Sequence, residues 1–222
     1  MSALGALTAA IDDKATWYAA RASGLLAWAL ITASIVWGLV LSTRVIRRKG
    51  APAWWRDMHA FMGTLALVFV GVHLLALWAD SYVHFGPGEL FVPMASDWRP
   101  GAVAWGIAAA YLLAAIQVSS WAIHKLPRRL WHAIHLSSFA LFISATVHGF
   151  AAGADRNNLI VQWLGLSGSL VVVFLAAFRF GARRRVSTSA RFPRAGLRPR
   201  PASSNRTRPA GKPPSAAPLV RR

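Results

Sequence analysis

The chain has 222 residues, 55% of them hydrophobic and 14% charged, and it contains no cysteine. The lack of cysteine excludes disulfides, thiolate metal sites and iron–sulfur clusters. The formal net charge is +18, but 13 of the 25 Lys and Arg residues fall between residues 179 and 222. Basicity is therefore a property of the tail, and no nucleic-acid-binding fold is implied.

Residues 1–21 are short and mixed, with Asp12, Asp13 and Lys14 ahead of Trp17, and read as an extracytoplasmic N-terminal segment without a signal-peptide pattern. Five apolar runs of about twenty residues follow, the length a helix needs to cross a bilayer. The first covers about 22–43 and closes on Arg44, Arg47, Arg48 and Lys49. The second covers 59–79. A loop rich in Gly, Pro and acids occupies 80–100. The third span covers 101–123 and is closed by His124, Lys125, Arg128 and Arg129; the fourth covers 130–152 and the fifth 159–178. Residues 181–222 are rich in Arg, Pro, Ser and Ala, and too poor in apolar side chains to offset their ordering entropy. They are expected to be a disordered basic tail lying on the anionic cytoplasmic leaflet. The predicted fold class is all-α: a polytopic membrane protein with five transmembrane helices, its helical bundle within residues 22–180.

Five spans put the termini on opposite sides. Lys and Arg cluster at 44–56, at 125–129 and in the tail, whereas Asp12, Asp13, Asp80, Glu89, Asp97 and Asp155 fall on the other side. The positive-inside rule then sets the N-terminus outside and the C-terminus in the cytoplasm of a plasma-membrane, multi-pass protein. Boundary tryptophans agree, with Trp54, Trp55, Trp121 and Trp131 inside and Trp78, Trp98 and Trp163 outside.

The candidate chemistry lies in the histidines. His59 and His73 stand fourteen residues apart on the second span. That step returns a helix to within about 40° of one face and separates the rings by about 21 Å along the axis. The fourth span carries His132, His135 and His148. Both spans run outward, so His59 and His135 share an inner level and His73 and His148 an outer one. Paired imidazoles from facing helices are the donor set for bis-histidine haem, which favours electron transfer over oxygen binding. Zinc fits less well, because no cysteine or carboxylate joins the histidines within the bilayer. Thirteen steps leave His135 and His148 about 140° apart on an ideal helix, so a π-bulge or rotated haems are expected. His132 competes with His135, and helical geometry does not decide between them.

The segment RRLWHAIHLSSFALFISATVHGF, together with the fourteen-residue step of His59/His73 and the thirteen-residue step of His135/His148, resembles the ferric reductase-like transmembrane domain. That family includes NADPH oxidases, ferric reductases and the haem subunit of the bacterial methionine sulfoxide reductase system. The resemblance covers about residues 20–180. It implies two haem b groups with His59, His73, His135 and His148 as axial iron ligands, and His132 only as an alternative to His135. His59 aligns the chain with the two-haem branch.

The expected function is transmembrane electron transfer by an oxidoreductase subunit. No GxGxxG or P-loop follows the fifth span. The donor is therefore expected to be a separate flavin-containing reductase or a quinol, and the acceptor to lie outside. Arg56, Lys125, Arg128 and Arg129 inside, with Arg99 and Arg156 outside, are candidates for pairing with haem propionates. His84, beside Tyr82 and Glu89, is a candidate for receiving an electron acceptor. Two other readings remain open: a haem-free transporter or scaffold, and a di-haem cytochrome b linked only to quinone.

Overall fold

The computed structural model describes residues 3–42, 53–80, 85–153 and 157–189. The basic loop 43–52, His84, Tyr82, Arg156 and the tail from residue 190 lie outside the described residues. Regular structure among the described residues is entirely helical. In chain order the elements are α1 (Ala3–Leu41), α2 (Ala53–Ala79), a short α3 (Pro87–Phe91), α4 (Pro100–Trp121), a 3₁₀ turn (Ile123–Lys125), α5 (Arg128–Leu136), α6 (Ser138–Ala152) and α7 (Leu159–Ser189). Five stretches are long and apolar enough to cross a membrane: α1, α2, α4, α5 with α6, and α7. The chain is an all-α, multi-pass membrane protein.

Helix is the form such a chain must take, because hydrocarbon offers backbone N–H and C=O groups no partner outside the segment itself. Side chains that would be a liability in water, including Leu75, Trp78, Ile160, Trp163 and Phe174, lie exposed on the bundle surface. They face lipid.

Extensive interfaces join α1 to α2 and α4 to α6, and smaller ones join α2 to α4 and α1 to α6. The four spans thus form a square in which α2 and α6 stand on one diagonal and α1 and α4 on the other. The core fills the middle of the square, with Ala66 fully buried and Leu113, Leu141 and Phe142 packed in the same cluster. Trp28 of α1 donates its indole N–H to Thr146 Oγ1 of α6 at 3.0 Å. On α4, Gln117 Nε2 donates to Thr64 Oγ1 of α2 at 2.9 Å. The fifth span packs outside through glycine: a Cβ on Gly168 would meet Trp28 and Thr32 at 3.3 Å.

Four differences from the sequence expectations have physical causes. Helix α1 begins at Ala3, so the segment expected to be separate over 1–21 is continuous with the first span; it is rich in alanine and other good helix formers. Helix α7 runs on to Ser189, past the expected start of a disordered tail at 181, since its Arg-rich end holds no proline before Pro193. The compact unit extends over Met1–Arg184. The loop 80–100 contains α3, whose first turn is closed by Gly86 N–H donating to Glu89 Oε2 at 2.7 Å. Phe85 and Leu90 of that loop are buried against Val103 and Ile107, so the segment folds over one end of the bundle. The fourth span shows no π-bulge. It breaks at Ser137, whose N–H bonds the carbonyl of Ile134 at 3.1 Å, a 3₁₀-type step. Such a step turns the chain by about 120° rather than 100°, which rotates His148 toward the face of His135.

Replacing Thr146 by Val keeps the shape but removes the acceptor for Trp28. We expect a loss of about 1 kcal/mol in detergent unfolding, the order found for interhelical hydrogen bonds in membranes. An unchanged unfolding midpoint would show that this bond does not join α1 to α6.

Candidate functional site

Helix α2 carries His59 and His73 on one face, and they are met across the square by His135 of α5 and His148 of α6. The ring centres of His59 and His135 are 5.9 Å apart with planes at 68°. Those of His73 and His148 are 6.3 Å apart with planes at 79°. All four rings are half-buried. His132 is exposed, and its Nδ1 donates to the carbonyl of Arg128 on its own helix at 2.8 Å. The structure therefore brings His135, and not His132, opposite His59. His124 is exposed and takes no part.

Three of the rings are set by the same device. His73 Nδ1 lies 2.7 Å from the carbonyl of Ala20. His59 Nδ1 lies 3.0 Å from that of Ser34 and 3.1 Å from the Ser34 hydroxyl. His148 Nδ1 lies 2.8 Å from the carbonyl of Ala102. A carbonyl only accepts, so Nδ1 carries the proton in each ring and Nε2 is left with its lone pair.

Four residues beyond each of these carbonyls stands a glycine. A Cβ on Gly24 would come within 3.1 Å of the His73 ring, and one on Gly38 within 3.0 Å of His59. On Gly106 it would reach 2.6 Å from His148. A side chain on a helix leans back over the preceding turn, so any residue larger than glycine at that place would cover the carbonyl. Glycine opens it.

These features fit a haem. A metal–imidazole bond is about 2 Å long and a ring centre lies about 1 Å behind its nitrogen, so a bridged pair has centres about 6 Å apart. Both pairs stand at that separation. Metal-ligating histidines also characteristically donate their second N–H to a carbonyl or carboxylate. Among the described residues no three His, Cys, Asp or Glu side chains converge. Two imidazoles alone suit a group that brings its own equatorial donors.

The fourth ring differs. His135 Nδ1 is buried without a hydrogen-bond partner among the described residues. Its plane lies against Trp131, with ring centres 4.9 Å apart and 24° between planes. Arg179 of α7 is within electrostatic reach of it. Of the expected anionic-group partners, Arg56, Lys125, Arg128 and Arg129 are exposed at the His59 end. Arg99 adopts a left-handed conformation (φ 46°) and donates to the carbonyl of Ala151 at 2.9 Å, closing α4 onto α6 at the His148 end. Glu89 is engaged as the α3 cap. The sequence reading did not single out Gly24, Gly38, Gly106 or Arg179. The one signal available was that Gly24 and Gly38 share the fourteen-residue step of His59 and His73.

Comparison with protein-family models, with curated proteins and with solved structures finds no match to this chain.

Two glycine substitutions separate the packing of the rings from general helix propensity. Gly106→Ala drives a methyl group into the His148 ring and is expected to destabilise the bundle by about 1–3 kcal/mol. A Cβ on Gly71 of α2 would meet nothing within 4 Å. Gly71→Ala should be neutral or stabilise by up to about 1 kcal/mol. Equal effects in a detergent unfolding assay would remove the special role of Gly106.

Proposed function

We propose that the chain is a ferric reductase-like membrane cytochrome b component, which carries electrons across a bilayer by means of two haem b groups. The observation that carries this reading is the duplicated facing pair, His59 with His135 and His73 with His148, at two depths of one bundle. Satisfied histidines in a transporter core have no reason to stand twice at the separation of a shared metal, and ionisable residues within a membrane are costly. When bound, haem would supply reversible one-electron chemistry, and two histidines holding it from opposite helices would favour electron transfer over oxygen binding.

The chain's own residues do the rest. His59 and His135 would hold the group near the cytoplasmic face, and His73 and His148 the group near the outer face. The carbonyls of Ala20, Ser34 and Ala102 hold the Nδ1 side of three rings and so leave their Nε2 lone pairs available. Ala66 and Phe142 fill the space between the levels and exclude water from it. Arg179 at the inner level and Arg99 at the outer one are placed to hold carboxylate groups. The orientation follows the positive-inside rule, with the N-terminus outside in a plasma membrane. The donor would be a separate flavin-containing reductase, whose acidic surface the basic inner face would suit, or a quinol. The acceptor outside would be ferric iron, oxygen or a partner oxidoreductase.

Purified protein supplied with haem is expected to show a b-type reduced-minus-oxidised spectrum and two haems per chain. His59→Ala should remove the inner haem and spare the outer, His73→Ala should do the reverse, and His132→Ala should keep both. No b-type spectrum would return the chain to a transporter or scaffold role. Reduction by quinol and not by a reduced flavoprotein would make it a quinone-linked cytochrome b.

A further inference from the structure

The fourth corner of the square lacks the device that fixes the other three. Gly106 faces His148 on antiparallel α4 and α6. Thirteen residues back from His148 is His135, and thirteen onward from Gly106 is Ser119, with Ser120 beside it. Both serines carry a Cβ where the other corners have none. Ser119 and Ser120 donate their hydroxyls to the carbonyl of Ile116 at 3.0 and 2.7 Å. They line their own helix and open no carbonyl to an imidazole. His135 Nδ1 accordingly has no partner among the described residues.

What does hold His135 is weaker in kind. Its flat contact with Trp131 fixes the plane of the ring, but stacking lets a ring slide within that plane. Helix α5 is nine residues long, buries no residue fully, and is cut from α6 by the break at Ser137. The ring therefore sits on a short arm with a joint two residues beyond it. His59, opposite, sits within a continuous 27-residue helix with both Ser34 groups on its Nδ1.

We propose that His135 is the one releasable axial ligand, so that the His59–His135 level opens on the His135 side and admits a small neutral diatomic ligand, while the His73–His148 level stays closed. The inference rests on the two-haem reading. It adds a positioning role for Gly24, Gly38 and Gly106, which act through the imidazoles they seat. An imidazole anchored through Nδ1 remains in place when its Nε2 bond breaks, and it re-forms that bond before a competitor arrives. An unanchored one moves off with its arm.

Carbon monoxide added to the reduced, haem-loaded protein tests this, read by the shift of the haem absorption band. One carbon monoxide per two haems is expected. The His73→Ala/His148→Ala double variant, which retains only the His59–His135 level, should bind carbon monoxide at every haem it holds. The His59→Ala/His135→Ala variant should bind none at its remaining six-coordinate haem. Trp131→Ala, which removes the stacking partner, should speed binding in the otherwise wild-type chain without changing haem content. A merely structural role for Trp131 would lower content and leave the rate alone. Two unreactive haems, two reactive haems, or reactivity that follows the His73–His148 level would each overturn the proposal. A chain that takes up no haem would instead sink the reading on which it rests.

Discussion

The setting of the histidine rings depends on the second lone pair of a helix carbonyl. In hydrocarbon each C=O is already bonded to the N–H four residues on, and no water is present to receive an imidazole N–H. A carbonyl oxygen nevertheless has two lone pairs, and the free one can accept a side chain from a neighbouring helix if nothing covers it. The residue that covers it is the one at i+4, whose Cβ tilts back along the helix. Glycine there exposes the acceptor, as at Gly24 over Ala20, Gly38 over Ser34 and Gly106 over Ala102. The glycines and carbonyls belong to α1 and α4, on one diagonal, while the histidines belong to α2 and to α5 with α6, on the other.

The worth of these contacts is orientation more than stability. An interhelical hydrogen bond in a membrane contributes on average only about 0.6 kcal/mol, because chains unfolded within the bilayer also find partners. Three such bonds do not decide whether the bundle forms. They decide which nitrogen carries the proton and where the opposite nitrogen points, and for a metal ligand those are the properties that matter.

The five spans and the two histidine levels were legible in the sequence because both are local periodicities. A run of twenty apolar residues or a fourteen-residue step needs no knowledge of the neighbouring helix. The choice between His132 and His135 was not legible, since ideal helical angles favour neither. The tertiary packing decides it: His135 faces His59 across the bundle, while His132 lies exposed and bonds its own helix at the Arg128 carbonyl. The break at Ser137 has no proline or glycine to announce it. Glycines within a membrane helix read as generic small residues until the partner helix is in place, and Arg179 reads as the first charge of the tail. Helix α1 was underestimated at its N-terminal end because hydropathy marks the membrane segment and not the helix.

The two halves of the square are therefore unlike in a way that follows from register. On α1 the pairs Ala20/Gly24 and Ser34/Gly38 repeat at fourteen residues, matching His73 and His59 on α2. Two straight antiparallel helices with the same repeat remain in step, and both corners of that half are anchored. On the other side the histidines are thirteen residues apart, and α4 carries Ser119 where the matching glycine would stand. A thirteen-residue step cannot present both rings to one face of a straight helix, so the chain breaks between them. The break frees α5 from the register that α4 offers, and the carbonyl anchor is lost at that corner alone. One rail of the bundle is fixed at both depths. The other is anchored to a carbonyl at His148, while His135 Nδ1 has no such partner among the described residues and its ring rests on Trp131.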